Sequence, residues 1–317
     1  MVRLGAVLSS AAIVAASLAS TTLADAYCRS TTCSGDCPRD ADGCKTTGLP
    51  LSWPSLCVGV SLQADGTEFI AFEDTKRIIE DSFVAWSDLP CDGGGTASIA
   101  FTPSDPATCH VAEYDPAGGN ANVVMFHDTK WSYSGEANNL AKTTVTFDTK
   151  TGAILDADLE INHAYNEYTI VDDVVVYDLQ SIVTHEVGHF IGLDHSPDLD
   201  ATMFAGYEEG SINPRSLELD DVAGACAAYP PDRVASCDPE PKGGFRSACK
   251  AEAAPASGGC SLSAREHDAS TGLAALTSAL ALVARARRAR RAPSALSRGR
   301  RKPNRRGHRV TLRSPSV

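Results

Sequence analysis

Eleven consecutive residues constrain this chain more than any others: His185-Glu186-Val187-Gly188-His189-Phe190-Ile191-Gly192-Leu193-Asp194-His195. Histidines four apart share one helix face, one turn apart, so the imidazoles of His185 and His189 can reach a single ion. The segment must therefore be helical, and residues 178–191 carry Leu179, Ile182, Val183 and Phe190 at helical spacing. Gly192 lets the backbone leave the helix in a left-handed conformation, so that His195 swings back as a third ligand. Three neutral imidazoles leave the fourth position of a tetrahedral Zn2+ open, the arrangement of a catalytic rather than a structural site. Glu186 follows the first ligand and is placed to contact the metal-bound water without being a ligand itself. The expected set is His185, His189 and His195 on one zinc ion, with Glu186 as the catalytic base. His110, His127 and His163 lie outside ligand spacing and are expected to be ordinary histidines.

The rest of residues 27–230 reads as strands mixed with helices. A helix is expected over residues 74–88, capped by Asp74, with Ile78, Ile79, Phe83 and Trp86 as its apolar stripe and Pro90 as its stop. A third helix is expected over 216–229, capped by Ser216. Residues 97–101, 122–126, 143–147 and 154–161 read as strands separated by Gly, Pro, Asn and Asp. Without an internal repeat, this pattern implies one α/β or α+β domain. Asp156, Asp158 and Glu160 alternate along the last strand and are able to bind calcium. Solvated carboxylates on an acidic surface are the simpler reading, and a Ca2+ site is unsupported.

The charge of −12 hides a split. Residues 269–317 hold 13 Lys and Arg and no acid, which leaves residues 1–268 with 15 bases against 40 acids, a charge of −25. A body so acidic repels phosphate, so nucleic acid is not an expected partner. The eleven cysteines follow no zinc-ribbon spacing, and disulfides in an oxidising compartment are expected. Setting Cys260 aside leaves ten, an even number for pairing, with the connectivity open. Arg3, an apolar stretch over residues 4–23 and Ala24-Asp25-Ala26 read as a secretory signal peptide ending at Ala26.

The eleven-residue motif resembles the signature of the metzincin zinc proteases, in which a Met-turn follows. Met203 lies eight residues past His195, and Ser196 directly after the third histidine is similar to the matrixin branch. Residues 74–86 and Leu219-Asp220-Asp221-Val222-Ala223-Gly224 resemble that family's first and last helices. The resemblance implies an α/β (α+β) fold with a twisted, mostly parallel five-stranded sheet, three helices, and an antiparallel edge strand lining the cleft. It also implies that Met203 packs beneath the metal as an apolar floor and that substrate lies extended along the edge strand. Three features depart from the family. Ala205 stands where a Pro is usual. Tyr207 is four residues past the Met and is read as a pocket-wall or surface residue, not a ligand. No latency cysteine is found, since Pro38-Arg39 is followed by Asp40.

Gly258-Gly259-Cys260, the uncharged run of residues 269–284 and the arginines at 285–291 together resemble the C-terminal sorting tag of myxobacterial surface proteins. Sixteen residues make a helix of about 24 Å, short of a ~30 Å hydrocarbon core. The expected organisation is a signal peptide (1–26), a Cys-containing segment (27–49), a matrixin-like domain (50–230), a linker with the Cys260 motif (231–268), an apolar helix with its Arg cluster (269–291) and a basic tail (292–317). The expected function is a secreted or surface-anchored zinc endopeptidase acting on proteins or peptides through a zinc-bound water activated by Glu186. The alternative is a non-catalytic surface module that keeps zinc for stability. The expected location is extracellular, with membrane anchoring through the Cys260 region.

Overall fold

A computed structural model describes residues 26–133, 139–172 and 175–250, together with the backbone of Arg309–Thr311. The chain divides into two compact units, residues 1–249 with 308–317 and residues 250–307. Apart from Lys250, the described residues all belong to the first unit. Residues 1–25, the Cys260 motif and the apolar run lie outside them.

Five strands and three helices form the frame: β1 (Cys57–Leu62), α1 (Phe72–Val84), β2 (Ala100–Pro103), β3 (Val123–Phe126), β4 (Ala141–Phe147), β5 (Ile154–Ile161), α2 (Leu179–Phe190) and α3 (Leu219–Ala228). The sheet order is β2-β1-β3-β5-β4. All neighbours are parallel except β4, which runs antiparallel to β5 with Thr143 opposite Leu159. The expected mixed five-stranded sheet with an antiparallel edge strand is thus present, and the fold is α+β. Its core forms where one face of the sheet meets the helices. Ala141 and Val145 of β4 and Leu159 and Ile161 of β5 pack with Ile78, Ile79 and Phe83 of α1 and Ile182, Val183 and Val187 of α2. Fully burying one such Val, Leu, Ile or Phe side chain stabilises the fold by about 1.5–3 kcal/mol. Trp86 is fully buried just after α1, and its Nε1 donates to Thr184 O at 2.9 Å, tying α1 to the ligand helix.

Boundaries differ from expectation where several residues compete for one role. The N-cap of α1 is Ala71, with no side-chain bond; Asp74 sits in the first turn beside Glu73, where both acids favour the positive helix end. Helix α1 ends at Val84, before Pro90 can act. At α3 the cap is Glu218 rather than Ser216, because Glu218 and Asp221 bond each other's backbone N–H groups reciprocally. Strand β2 begins at Ala100 rather than residue 97, since Ser98 N is drawn off to Tyr229 O at 2.8 Å.

Five disulfides join all ten cysteines other than Cys260: Cys28–Cys44, Cys33–Cys37, Cys57–Cys237, Cys91–Cys226 and Cys109–Cys249. Two of them correct the linker reading. Residues 230–249 are a strap, fastened to β1 through Cys237 and to the loop before β3 through Cys249. The strap and that loop cover the sheet's second face, where Ala107, Cys109, Ala121, Val123 and Met125 pack with Phe245. That covering also corrects the reading of Asp156, Asp158 and Glu160 as solvated. All three are at most 3% exposed. Asp158 accepts from Val123 N (2.9 Å) and Glu113 N (3.0 Å), and burial pushes the Asp156 carboxyl up to about 7. Among the described residues no helix is long and apolar enough to cross a membrane. The backbone of Arg309–Thr311 pairs antiparallel with Gly206–Glu208.

Candidate metal centre

Helix α2 begins at Asp178, whose side chain accepts from Ser181 N at 2.8 Å and is itself gripped by Arg215, Nη2 to Oδ1 at 2.6 Å. A cap of this kind is worth about 1 kcal/mol and fixes where the helix starts. The helix runs to Phe190, and Gly192 follows with φ +90°, the left-handed conformation the spacing requires. A Cβ at Gly192 would also collide with Leu51 O. The chain then turns back, and Leu193 and Asp194 pair with Arg29 and Cys28 of the N-terminal disulfide segment. Lys45 (3.7 Å) and Arg39 (3.9 Å), from that same segment, bracket the Asp194 carboxylate. His195 is thereby fixed from outside as well as by its own helix.

The three expected ligands converge. Ring centroids are 4.9 Å apart for His185 and His189, 5.3 Å for His185 and His195, and 4.8 Å for His189 and His195. Nδ1 of His185 donates to Thr202 O (2.6 Å) and Nδ1 of His189 to Leu193 O (2.9 Å). Each of those bonds selects the tautomer whose Nε2 carries a lone pair. Nε2 of His189 lies 3.2 Å from Nε2 of His195, and Nε2 of His185 is buried without a partner among the described residues. Burial and the neighbouring imidazole of His189 push His185 down to about 3 and lower His195 as well, so these two rings are neutral at physiological pH. Two nitrogens held about 2.0–2.1 Å from one tetrahedral zinc would be roughly 3.3–3.4 Å apart. Two imidazole nitrogens at this spacing fit two ligands of one zinc ion.

Beneath the rings, Met203 is 2% exposed, and a Cβ at Gly188 would collide with its Sδ. Gly188 is therefore what allows the methionine to press against the helix between the two ligands. The turn carrying Met203 is pinned from two sides. Ser196 N donates to Met203 O (2.9 Å), and the Asp221 carboxylate of α3 accepts from Thr202 N (2.8 Å) and Met203 N (2.9 Å). Asp221 also reaches His185, since Thr202 O holds that ring. Tyr207 is buried rather than on the surface: its hydroxyl accepts from Asp178 N and donates to Ser211 O, and so is engaged away from the rings.

Glu186 is fully buried. Its Oε2 accepts from Thr143 Oγ1 at 2.6 Å, while Oε1 has no partner among the described residues. Burial raises its pKa, opposed by His189 and by the Thr143 bond. Sequence reasoning missed Thr143, Asp221 as the anchor of the turn, and the N-terminal basic pair on Asp194. His110 lies 3.9 Å from Asp65, His127 bonds Glu160 (2.8 Å), and His163 bonds Thr67 (2.9 Å). Asp156, Asp158 and Glu160 are not among the described groups of three whose donor atoms converge. Apart from the triad, the one such group is Glu113 with Cys109 and Cys249, both spent in a disulfide.

Comparison with known proteins agrees with this geometry. A family profile described as Matrixin matches residues 63–230. Matrix metalloproteinase-C of Caenorhabditis elegans is 23% identical over 205 residues, covering 59% of this chain and 31% of that protein. Metalloendoproteinase 1-MMP of Arabidopsis thaliana is 28% identical, covering 52% and 40%, and the interstitial collagenase of Sus scrofa is 27% identical, covering 52% and 30%. The chain thus spans between 30% and 40% of these relatives' own length. With the profile covering more than half of its residues and the histidine triad in place at the end of α2, the chain belongs to the Matrixin family.

Proposed function

We propose that this protein is a secreted zinc-dependent endopeptidase. The observation that carries the reading is the buried Oε1 of Glu186, without a partner among the described residues and one residue from His185, in a site whose three imidazoles could hold one ion. Zinc, when bound, supplies a Lewis acid that lowers the pKa of water toward ~7 and polarises a carbonyl. His185, His189 and His195 would hold it and take no proton. Glu186 removes the proton of the attacking water at Oε1 and hands it to the leaving amine. The raised pKa of Glu186 suits a group that must hold a proton briefly, and a nearby dication draws that value back down. Strand β4 ends the sheet, and its outer edge pairs with no strand among the described residues. An extended peptide adding to that edge would be held by backbone bonds, which is how a protein substrate is presented.

Secretion is supported by five disulfides and by the leader-like first 26 residues. Surface anchoring through the Cys260 region is part of the proposal and falls on residues outside those described. A zinc-stabilised module without activity has no use for a buried carboxylate at position 186. Casein digestion separates the two: the zinc-loaded, oxidised protein should digest casein, stop with excess chelator and resume when zinc is restored. Casein left intact under all three conditions contradicts the reading.

A further inference from the structure

The geometry points to Thr143 as the residue that positions the catalytic base, an inference that rests on the role just given to Glu186. Ala141, Thr143 and Val145 share the inward face of β4, and all three are buried. At such a place a valine would have the same shape and no polar group to satisfy, whereas a buried hydroxyl is costly unless it is bonded. Among the described residues the Thr143 hydroxyl is bonded to Glu186 alone: Oγ1 lies 2.6 Å from the carboxylate Oε2 and 3.1 Å from the same residue's carbonyl oxygen.

One atom of the strand therefore touches both ends of Glu186, and the torsions between those ends are fixed. The hydroxyl has a single proton, and the shorter contact is the stronger, charge-assisted one. With Oε2 taken, Oε1 is the oxygen left for water. Because Thr143 belongs to the open edge strand, the backbone on which substrate would pair is also the backbone that orients the base.

The test is a set of variants on the zinc-loaded full chain, with a metal-free arm. Thr143→Val should lower kcat by about ten- to a hundredfold, the scale of a small misplacement of a reacting group, with KM and zinc content unchanged. Thr143→Ser should recover most of that loss. In the metal-free protein, Thr143→Val should lower the unfolding temperature in the native background and change it little in a Glu186→Met background. Full kcat in Thr143→Val, or a Thr143→Ser variant as slow as Thr143→Val, overturns the inference. So does an unfolding shift that is the same in both backgrounds. Glu186→Gln distinguishes this failure from that of the underlying reading. If Glu186→Gln is inactive and Thr143→Val is fully active, only the positioning role falls; if Glu186→Gln is active, the base assignment itself falls.

Discussion

The segment from Leu179 to His195 and the strap of residues 230–249 belong to one body and are held in opposite ways. The side chains that would hold the metal are neighbours in sequence, with Thr202, Asp221 and Thr143 supporting the site from farther off in the chain. The candidate ligands lie within eleven residues, and the Nδ1 of His189 is satisfied by Leu193, four residues on. The strap has no regular structure of its own and is held by partners far along the chain. Its disulfides span 180 and 140 residues, and Arg233 donates to Ser55 O (2.9 Å) and Ser98 O (2.6 Å). The candidate ligands and base are thus encoded locally, and the closure of the scaffold around them is encoded at long range.

That contrast can be broken at either end. The largest effect belongs to the ligands. His195→Ala should weaken zinc binding by more than roughly a hundredfold, since changes outside the ligand sphere alone cost 10–100-fold. The unfolding temperature of the metal-free chain should hardly move, which calorimetry with and without chelator would read. Removing the strap's bonds should do the reverse. Cys57→Ser with Cys237→Ser, or Cys109→Ser with Cys249→Ser, should each cost about 2–5 kcal/mol of stability in denaturant titration. Zinc affinity below the transition should stay within a few-fold. A strap variant that lost zinc while remaining folded would erase the distinction.

Gly188→Ala tests where the two regimes meet. Its methyl group has to displace Met203, so about 1–3 kcal/mol of stability and part of the zinc affinity should be lost together. The smallest effect lies under the strap. Burial pushes the Asp156 carboxyl up to about 7, against about 3.9 in an unfolded chain. The folded state therefore keeps a proton that the unfolded state releases, and the stability this group allows is full below pH ~4 and falls as pH rises through about 7. Asp156→Asn removes that dependence. It should raise the unfolding temperature by about 2–4 °C at pH 8, the equivalent of about 1 kcal/mol, and much less at pH 5.

The same contrast explains what the sequence disclosed. The triad, Glu186, Met203 and the turn at Gly192 were legible because helical spacing and a glycine at positive φ are local facts. The alternation of Asp156, Asp158 and Glu160 told correctly that they share a face, and only the strap and the loop before β3 decided that this face is covered. Caps were misread where two acids or hydroxyls stood within a few residues, as with Ser216 and Glu218, because the winner is set by a reciprocal bond to Asp221. Thr143 left one trace, a hydroxyl in the inward phase of a strand between Ala141 and Val145. Its partner, 43 residues away, could not be read from that trace.

In the proposed reaction one buried carboxylate does the proton chemistry while three histidines only hold the metal. Glu186→Gln, purified with its zinc, tests this most directly when metal content and peptide hydrolysis are measured on the same sample. One zinc per chain and a loss of kcat of about 10²–10⁴-fold are expected. A variant that keeps its zinc and still cleaves at near the native rate would contradict this reading.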